Sequence, residues 1–221
     1  MSVRSEPLAT MREARHLECM DRLALNPEQI ARALGATAGR SSDFDLNPEV
    51  RPARSRPLRP ASVLAALIER GSGVNVILTR RAARLKHHPG QIAFPGGKQD
   101  DADASPLDAA LREAEEEIGL NPDQVEVLGH FDCHETVTDF TVTPFVGVVR
   151  GSFEPRLEQA EVEEVFEAPL AFLLDPDNLQ VHSRRWEGGW RRYYAIPYGP
   201  YYVWGATARM LKTLSDRVRA G

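Results

Sequence analysis

Hydrophobic positions along this chain change their period several times, and each change marks an element. Leu17, Met20 and Leu23 recur at helical spacing. Asn26-Pro27-Glu28 supplies a helix cap, a proline at the first helical position and an acid in the first turn. Ile30, Ala31 and Leu34 then continue an apolar stripe, and Gly35 offers a stop. Residues 41–60 lose all period and are polar with scattered proline, which predicts a linker or surface wrap. Two apolar runs, 62–68 and 74–78, flank Gly71-Ser72-Gly73 and predict strand, turn, strand. A basic loop covers 80–95.

Residues 105–119 predict a helix, opened by a capping box at Ser105-Pro106-Leu107-Asp108 and closed by Gly119. Enrichment in β-branched residues marks 125–131, 136–149 and 162–166 as strands. A short helix starts at Leu170 and halts near Asp175-Pro176. Residues 181–202 hold most of the tryptophan and tyrosine, broken by turns at Gly188-Gly189 and at Pro197-Tyr198-Gly199-Pro200. A helix over 207–218 closes the chain. Strands interleaved with helices predict an α/β or α+β sandwich, with residues 1–60 as a helical extension and linker and 61–221 as the main domain.

Composition narrows the function classes. At about 150 residues per domain, 221 residues make one domain with an added segment. The 42% apolar and 27% charged residues are ordinary for a chain with a packed core, which excludes wholesale disorder. A net charge of −5 gives no bias toward nucleic acid or anionic lipid. The arginines of the first 60 residues are interleaved with acids and read as a solvated face. Cys19 and Cys133 cannot build a disulfide framework and suit a reducing compartment. No apolar run is long enough to span a membrane. The N-terminus has no apolar signal core, and Glu6, Glu13 and Glu18 are unlike a transit peptide. A cytoplasmic protein is the expectation.

The chemistry concentrates between Phe94 and Leu120. Arg112 to Glu117 fall in the last turns of the predicted helix, where residues three and four apart share a face. Glu113, Glu116 and Glu117 therefore project to one side. They repel one another and crowd the negative end of the helix dipole. A hard divalent cation, Mg²⁺ or Mn²⁺, is the compensation that suits carboxylate and carbonyl oxygens. Gly96-Gly97, after Pro95, lets the backbone pass close and offers a carbonyl as a further ligand.

These residues resemble the Nudix box. Gly97 is followed by Arg112-Glu113-Ala114-Glu115-Glu116-Glu117-Ile118-Gly119-Leu120, which meets every specified position of the box's second half. In the first half Asp103 stands where glutamate is usual, and eight residues instead of seven precede Arg112. The stretch Leu78-Thr79-Arg80-Arg81, Leu85, His88-Pro89-Gly90-Gln91 and Phe94-Pro95-Gly96-Gly97, with Asp100 and Asp103, is similar to the signature of the coenzyme A pyrophosphatase branch, whose box is one residue longer. Glu161-Val162-Glu163-Glu164-Val165-Phe166 and Trp204-Gly205-Ala206-Thr207-Ala208-Arg209 resemble that branch too. The likeness runs over roughly residues 60 to 215.

The resemblance implies an α/β/α sandwich with a mixed sheet. It implies that Glu113, Glu116 and Glu117, with the Gly96 carbonyl, hold one to three Mg²⁺ or Mn²⁺ ions and serve catalysis. The reaction implied is hydrolysis of the pyrophosphate bond of coenzyme A or its derivatives to 3′,5′-ADP and 4′-phosphopantetheine. Arg112 would fix the rotamer of one glutamate. Arg80, Arg84, His88 and Gln91 would meet the anionic substrate, and Glu163 or Glu164 are candidates for an extra carboxylate. Two other readings stay open: hydrolysis of another nucleoside diphosphate derivative, such as ADP-ribose or a dinucleoside polyphosphate, and a non-catalytic nucleotide-sensing module. The intact glutamates weigh against the last. No nucleic acid or membrane partner is expected, and the aromatic C-terminal third is compatible with a homodimer. Tyr193, Tyr194, Tyr198, Tyr201 and Tyr202 fit core or dimer packing better than base stacking.

Overall fold

The computed structural model describes residues 25–35, 39–53, 57–186 and 189–220. The expected helical repeat at Leu17, Met20 and Leu23 lies outside them. Twelve strands and four helices of at least four residues follow one another among the described residues. In chain order they are α1 (Pro27–Leu34), β1 (Ser41–Ser42), β2 (Arg59–Arg70), β3 (Gly73–Arg81), β4 (Ile92–Ala93) and β5 (Gly96–Lys98). Next come α2 (Pro106–Ile118), β6 (Val125–His130), β7 (His134–Glu135), β8 (Phe140–Val149), β9 (Val162–Pro169) and α3 (Leu170–Leu173). The chain closes with β10 (Gln180–Trp186), β11 (Gly189–Tyr198), β12 (Tyr201–Trp204) and α4 (Ala206–Ala220).

Strand β2 organises the main sheet. It pairs antiparallel with β3 and β5 and parallel with β8, so the sheet is mixed. Side chains alternate across a strand, and β2 uses both faces. Leu64, Ala66 and Ile68 meet Ala110, Ala114 and Ile118 of α2 on one side. Ala65 and Leu67 join the other core, with Ile30 and Leu34 of α1, Leu170 and Leu173 of α3, and Met210, Leu211 and Leu214 of α4. Helices on both faces of a mixed sheet give the expected α/β/α sandwich.

The N-terminal segment is more than helix and wrap. Asn26 and Gln29 close a reciprocal capping box on α1. Arg217, buried in α4, then donates to the Leu34 carbonyl at 2.8 Å and to Asp132 at 2.5 Å, which fastens α1 to the core. Within the predicted linker, β1 pairs parallel with β7, and Ser41, Ser42, Phe44 and Asn47 are buried. A two-residue strand has no period to read, and its partner His134 lies far along the chain.

The aromatic third forms a separate sheet, β10-β11-β12, antiparallel throughout. Its inner face carries Ile196 and Val203 into the core, with Tyr194, Tyr198 and Tyr201 half-buried around them. Tyr193 and Tyr202 alternate onto the outer face. Three of the five tyrosines thus pack against the core, and two lie on the outer face.

Candidate active site

Helix α2 presents the acidic cluster because its ends are fixed locally. The Ser105 side chain accepts from the Asp108 amide at 3.2 Å and donates to the Asp108 carboxylate at 2.8 Å, so the reciprocal bond of a full capping box is replaced by a side-chain pair. Gly119 ends the helix in the left-handed region, φ 72°. Between them Ala110, Ala114 and Ile118 face the sheet, and Glu117, three residues beyond Ala114, is carried inward with them.

Glu117 is only 4% exposed. Its carboxylate accepts from the Gly96 amide at 3.2 Å and lies 3.8 Å from the Arg81 guanidinium. Burial pushes its pKa up to about 7, against the pull of Gly96 and Arg81 and with the push of Glu113 and Glu161. Glu113, one turn back, is half-buried, and its pKa is raised as well, mainly by burial. Strand β5 closes over this pair. A Cβ on Gly97 would stand 2.5 Å from the Glu113 carboxyl carbon. Gly96 sits at φ 149°, and a Cβ there would stand 2.4 Å from the Ser62 carbonyl oxygen.

Arg112 binds the cluster together. It makes a bidentate contact with Asp103 at 2.9 and 3.0 Å and reaches Glu113 at 3.1 Å, Glu116 at 2.8 Å and the Lys98 carbonyl at 3.2 Å. Its hydrogen bonds hold the Asp103 carboxyl down at about 2. Asp103, to which the sequence assigned no role, is thus the anchor of Arg112. Replacing Arg112 by lysine keeps the charge but loses the fork. Arg112→Lys is expected to cut turnover roughly 10- to 100-fold with an unchanged circular dichroism spectrum, the usual cost of disturbing a ligand's support.

The structure draws Glu113 and Glu117 to the glycine strand. The Glu116 side chain is 60% exposed and stays outside with Arg112. Among the described residues, no three acid, histidine or cysteine side chains converge tightly enough to form a ready metal cage. The donor set nevertheless fits a hard cation. Two carboxylates with raised pKa lie against a backbone that only glycine permits, an all-oxygen pairing.

Burial of Glu117 has a measurable price in stability. Its carboxyl is near its unfolded value of 4.5 when the chain opens and at about 7 when folded. The penalty is therefore absent below pH 4.5, grows as pH rises, and is complete above pH 7. Glu117→Gln is expected to be more stable than the wild type by about 3 kcal/mol at pH 8 in chelator, with the gap closing by pH 4.5. Urea unfolding at the two pH values measures it.

The four proposed substrate contacts separate. His88, at φ 54°, and Gln91 line an open cleft. Burial, then Arg81, lowers the pKa of His88. Arg80 instead pairs with Glu164 at 3.1 Å and Glu163 at 3.6 Å, and the exposed Arg84 donates to the Gln159 carbonyl. Tyr201 donates to Glu164 at 2.7 Å. The acid whose field reaches Glu113 and Glu117 is Glu161, placed by a 2.8 Å bond from the Ala82 amide to its carbonyl. The acidic run from Glu161 to Glu164 was visible in sequence, but which member turns to the site depends on that long-range bond.

The NUDIX domain family matches residues 58–188, a span that holds β2 to β10 and the whole acidic site. This chain belongs to the Nudix family. A Nudix hydrolase relative from Cronobacter sakazakii, "Uncharacterized Nudix hydrolase NudL", is 41% identical over 175 residues, covering 76% of this chain and 89% of the relative. The Escherichia coli protein of the same name is 40% identical over 163 residues, covering 72% and 83%. Among solved structures, the Nudix hydrolase RenU of M. smegmatis aligns with a TM-score of 0.45 at 24% identity, over 53% of this chain and 74% of that one. Nudix hydrolases generally use divalent metal ions. Among the described residues, no helix is long and apolar enough to cross a membrane.

Proposed function

We propose that this Nudix hydrolase cleaves the pyrophosphate bond of coenzyme A or its derivatives with Mg²⁺ or Mn²⁺, releasing 3′,5′-ADP and 4′-phosphopantetheine. The observation that carries the hydrolytic part is the Glu113–Glu117 pair, half-buried and buried respectively against Gly96-Gly97, with carboxyls that hold protons unusually well. The coenzyme A part is supported by the signature from Leu78 to Asp103. These glutamates, with Glu116 and the Gly96 carbonyl, would hold the divalent cation, which would supply charge neutralisation at the diphosphate and a more acidic water.

The chain supplies the rest. Water oxygen bonds to one phosphorus, the bridging P–O bond breaks, and the other phosphate leaves with the bond's electrons. The water's proton passes to one of these two carboxylates; both are held in a raised-pKa setting by burial, so no single glutamate is assigned as base. Arg112 holds Glu113 and Glu116 in place, and Arg81 steadies Glu117. The free thiol of Cys133 suits a cytoplasmic setting.

The test is a panel of coenzyme A, ADP-ribose, dinucleoside polyphosphates and nucleoside triphosphates with Mg²⁺ or Mn²⁺, products identified by mass. Preferential release of 3′,5′-ADP from coenzyme A is expected. Cleavage of the other substrates alone would transfer the reading to another nucleoside diphosphate derivative. Binding without turnover would make the domain a sensor.

A further inference from the structure

The outer face of the three-stranded sheet breaks a packing rule. In the β10–β11 register Arg184 stands directly opposite Arg191. Like charges so placed destabilise a strand pair. Among the described residues neither arginine has an acidic partner. Arg184 instead lies over aromatic rings, its Cζ 4.5 Å from the Trp186 centroid and 5.0 Å from that of Trp204. Tyr193 packs edge-on against Trp204 at 5.4 Å. Alternation puts all five side chains on one face, away from the core.

That face is one wall of the cleft lined by His88 and Gln91, whose open volume is about 870 Å³ including its mouth. Asp43 is the acid in the lining, and both its oxygens are engaged. One meets the buried His134 Nε2 at 3.1 Å, and the other accepts from the Val137 amide at 2.9 Å. Asp43 is thus spent on its own neighbours, and no acid among the described residues pairs with the facing arginines. One residue, Arg81, ties Gln91 of the cleft wall to the acidic site. The Arg81 amide donates to the Gln91 carbonyl at 3.0 Å, while the Arg81 side chain points to Glu117.

We propose that this cleft binds the nucleotide end of the substrate, with Arg184 and Arg191 gripping a phosphomonoester on the ribose and the Trp186–Trp204–Tyr193 surface taking the base. The proposal rests on the hydrolase reading above and adds the residues that recognise a phosphate apart from the diphosphate. A phosphate dianion removes the arginine–arginine repulsion and matches two guanidinium forks. The flanking tryptophans hold Arg184 ready, so less motion is lost on binding.

Tryptophan fluorescence titration in chelator tests the site without turnover. Adenosine 3′,5′-bisphosphate is expected to bind at least about tenfold tighter than adenosine, since hydrogen bonds to charged groups discriminate by that order. Arg191→Gln and Arg184→Gln should each weaken bisphosphate binding about tenfold and leave adenosine within about twofold. Arg185→Gln, on the opposite face of β10, should change neither. Arg191→Gln should also melt no lower than the wild type, because it relieves a repulsion. Equal binding of the two probes, or wild-type affinity in both variants, overturns the site. Glu117→Gln should bind the bisphosphate like the wild type. An inactive enzyme with this binding pattern therefore refutes the hydrolase reading alone, and an active one without it refutes the cleft alone.

Discussion

Glu117→Gln is expected to lower turnover at least about 100-fold while the protein stays folded, the order seen on removing an electrostatic stabiliser at a metal-assisted reaction. Glutamine keeps the shape of the side chain and an oxygen able to accept from the Gly96 amide, so the local packing survives. What disappears is the negative charge that a cation and a developing proton transfer both need. The same substitution should gain stability at pH 8 in chelator, because an unwelcome buried charge has been removed. Loss of activity together with gain of stability separates a functional carboxylate from a structural one. Steady-state kinetics beside urea unfolding checks both halves, and near-wild-type turnover would remove Glu117 from the site.

Gly97→Ala and Gly96→Ala should both abolish efficient turnover, for different reasons. An added methyl at 97 would stand about 2.5 Å from all the carboxyl atoms of Glu113. It must displace that side chain from the glycine strand, so a turnover loss of at least about 100-fold is expected with little loss of stability, since a flexible side-chain end can move. At 96 the methyl meets backbone, at 2.4 Å from the Ser62 carbonyl oxygen and 2.6 Å from the Val63 Cα, in a region of φ that disfavours any side chain. Strain and overpacking together should cost about 2–5 kcal/mol, seen as a lower midpoint in urea, besides the activity. A Gly97→Ala enzyme with wild-type kinetics would show that Glu113 does not act from where it lies.

Local signals carried much of this reading and long-range pairings carried the rest. Helix α2 was legible from Ser105 to Gly119 because caps, proline and alanines act within a turn or two. The strand pair β2–β3 was legible because its apolar runs flank a glycine turn. The strap at Ser41–Ser42 was hidden, since its order comes from pairing with His134 and Glu135. At the site, the sequence named the glutamates but not their unequal burial. Glu117 is enclosed and Glu116 open, a difference set by which flank of α2 meets β5. The anchoring of Arg112 by Asp103, the contact of Arg81 with Glu117 and the facing of Arg184 with Arg191 all depend on register, which single-residue patterns do not encode.

The central claim is that Glu113 and Glu117, backed by Gly96, hold a divalent cation. Anomalous diffraction from a crystal soaked in Mn²⁺ tests it most directly. A peak is expected within coordination distance of both carboxylates, about 2.0–2.6 Å for hard oxygen-bound ions, and no such peak in a Glu117→Gln crystal. A soaked wild-type crystal with manganese elsewhere and none at these glutamates would contradict it.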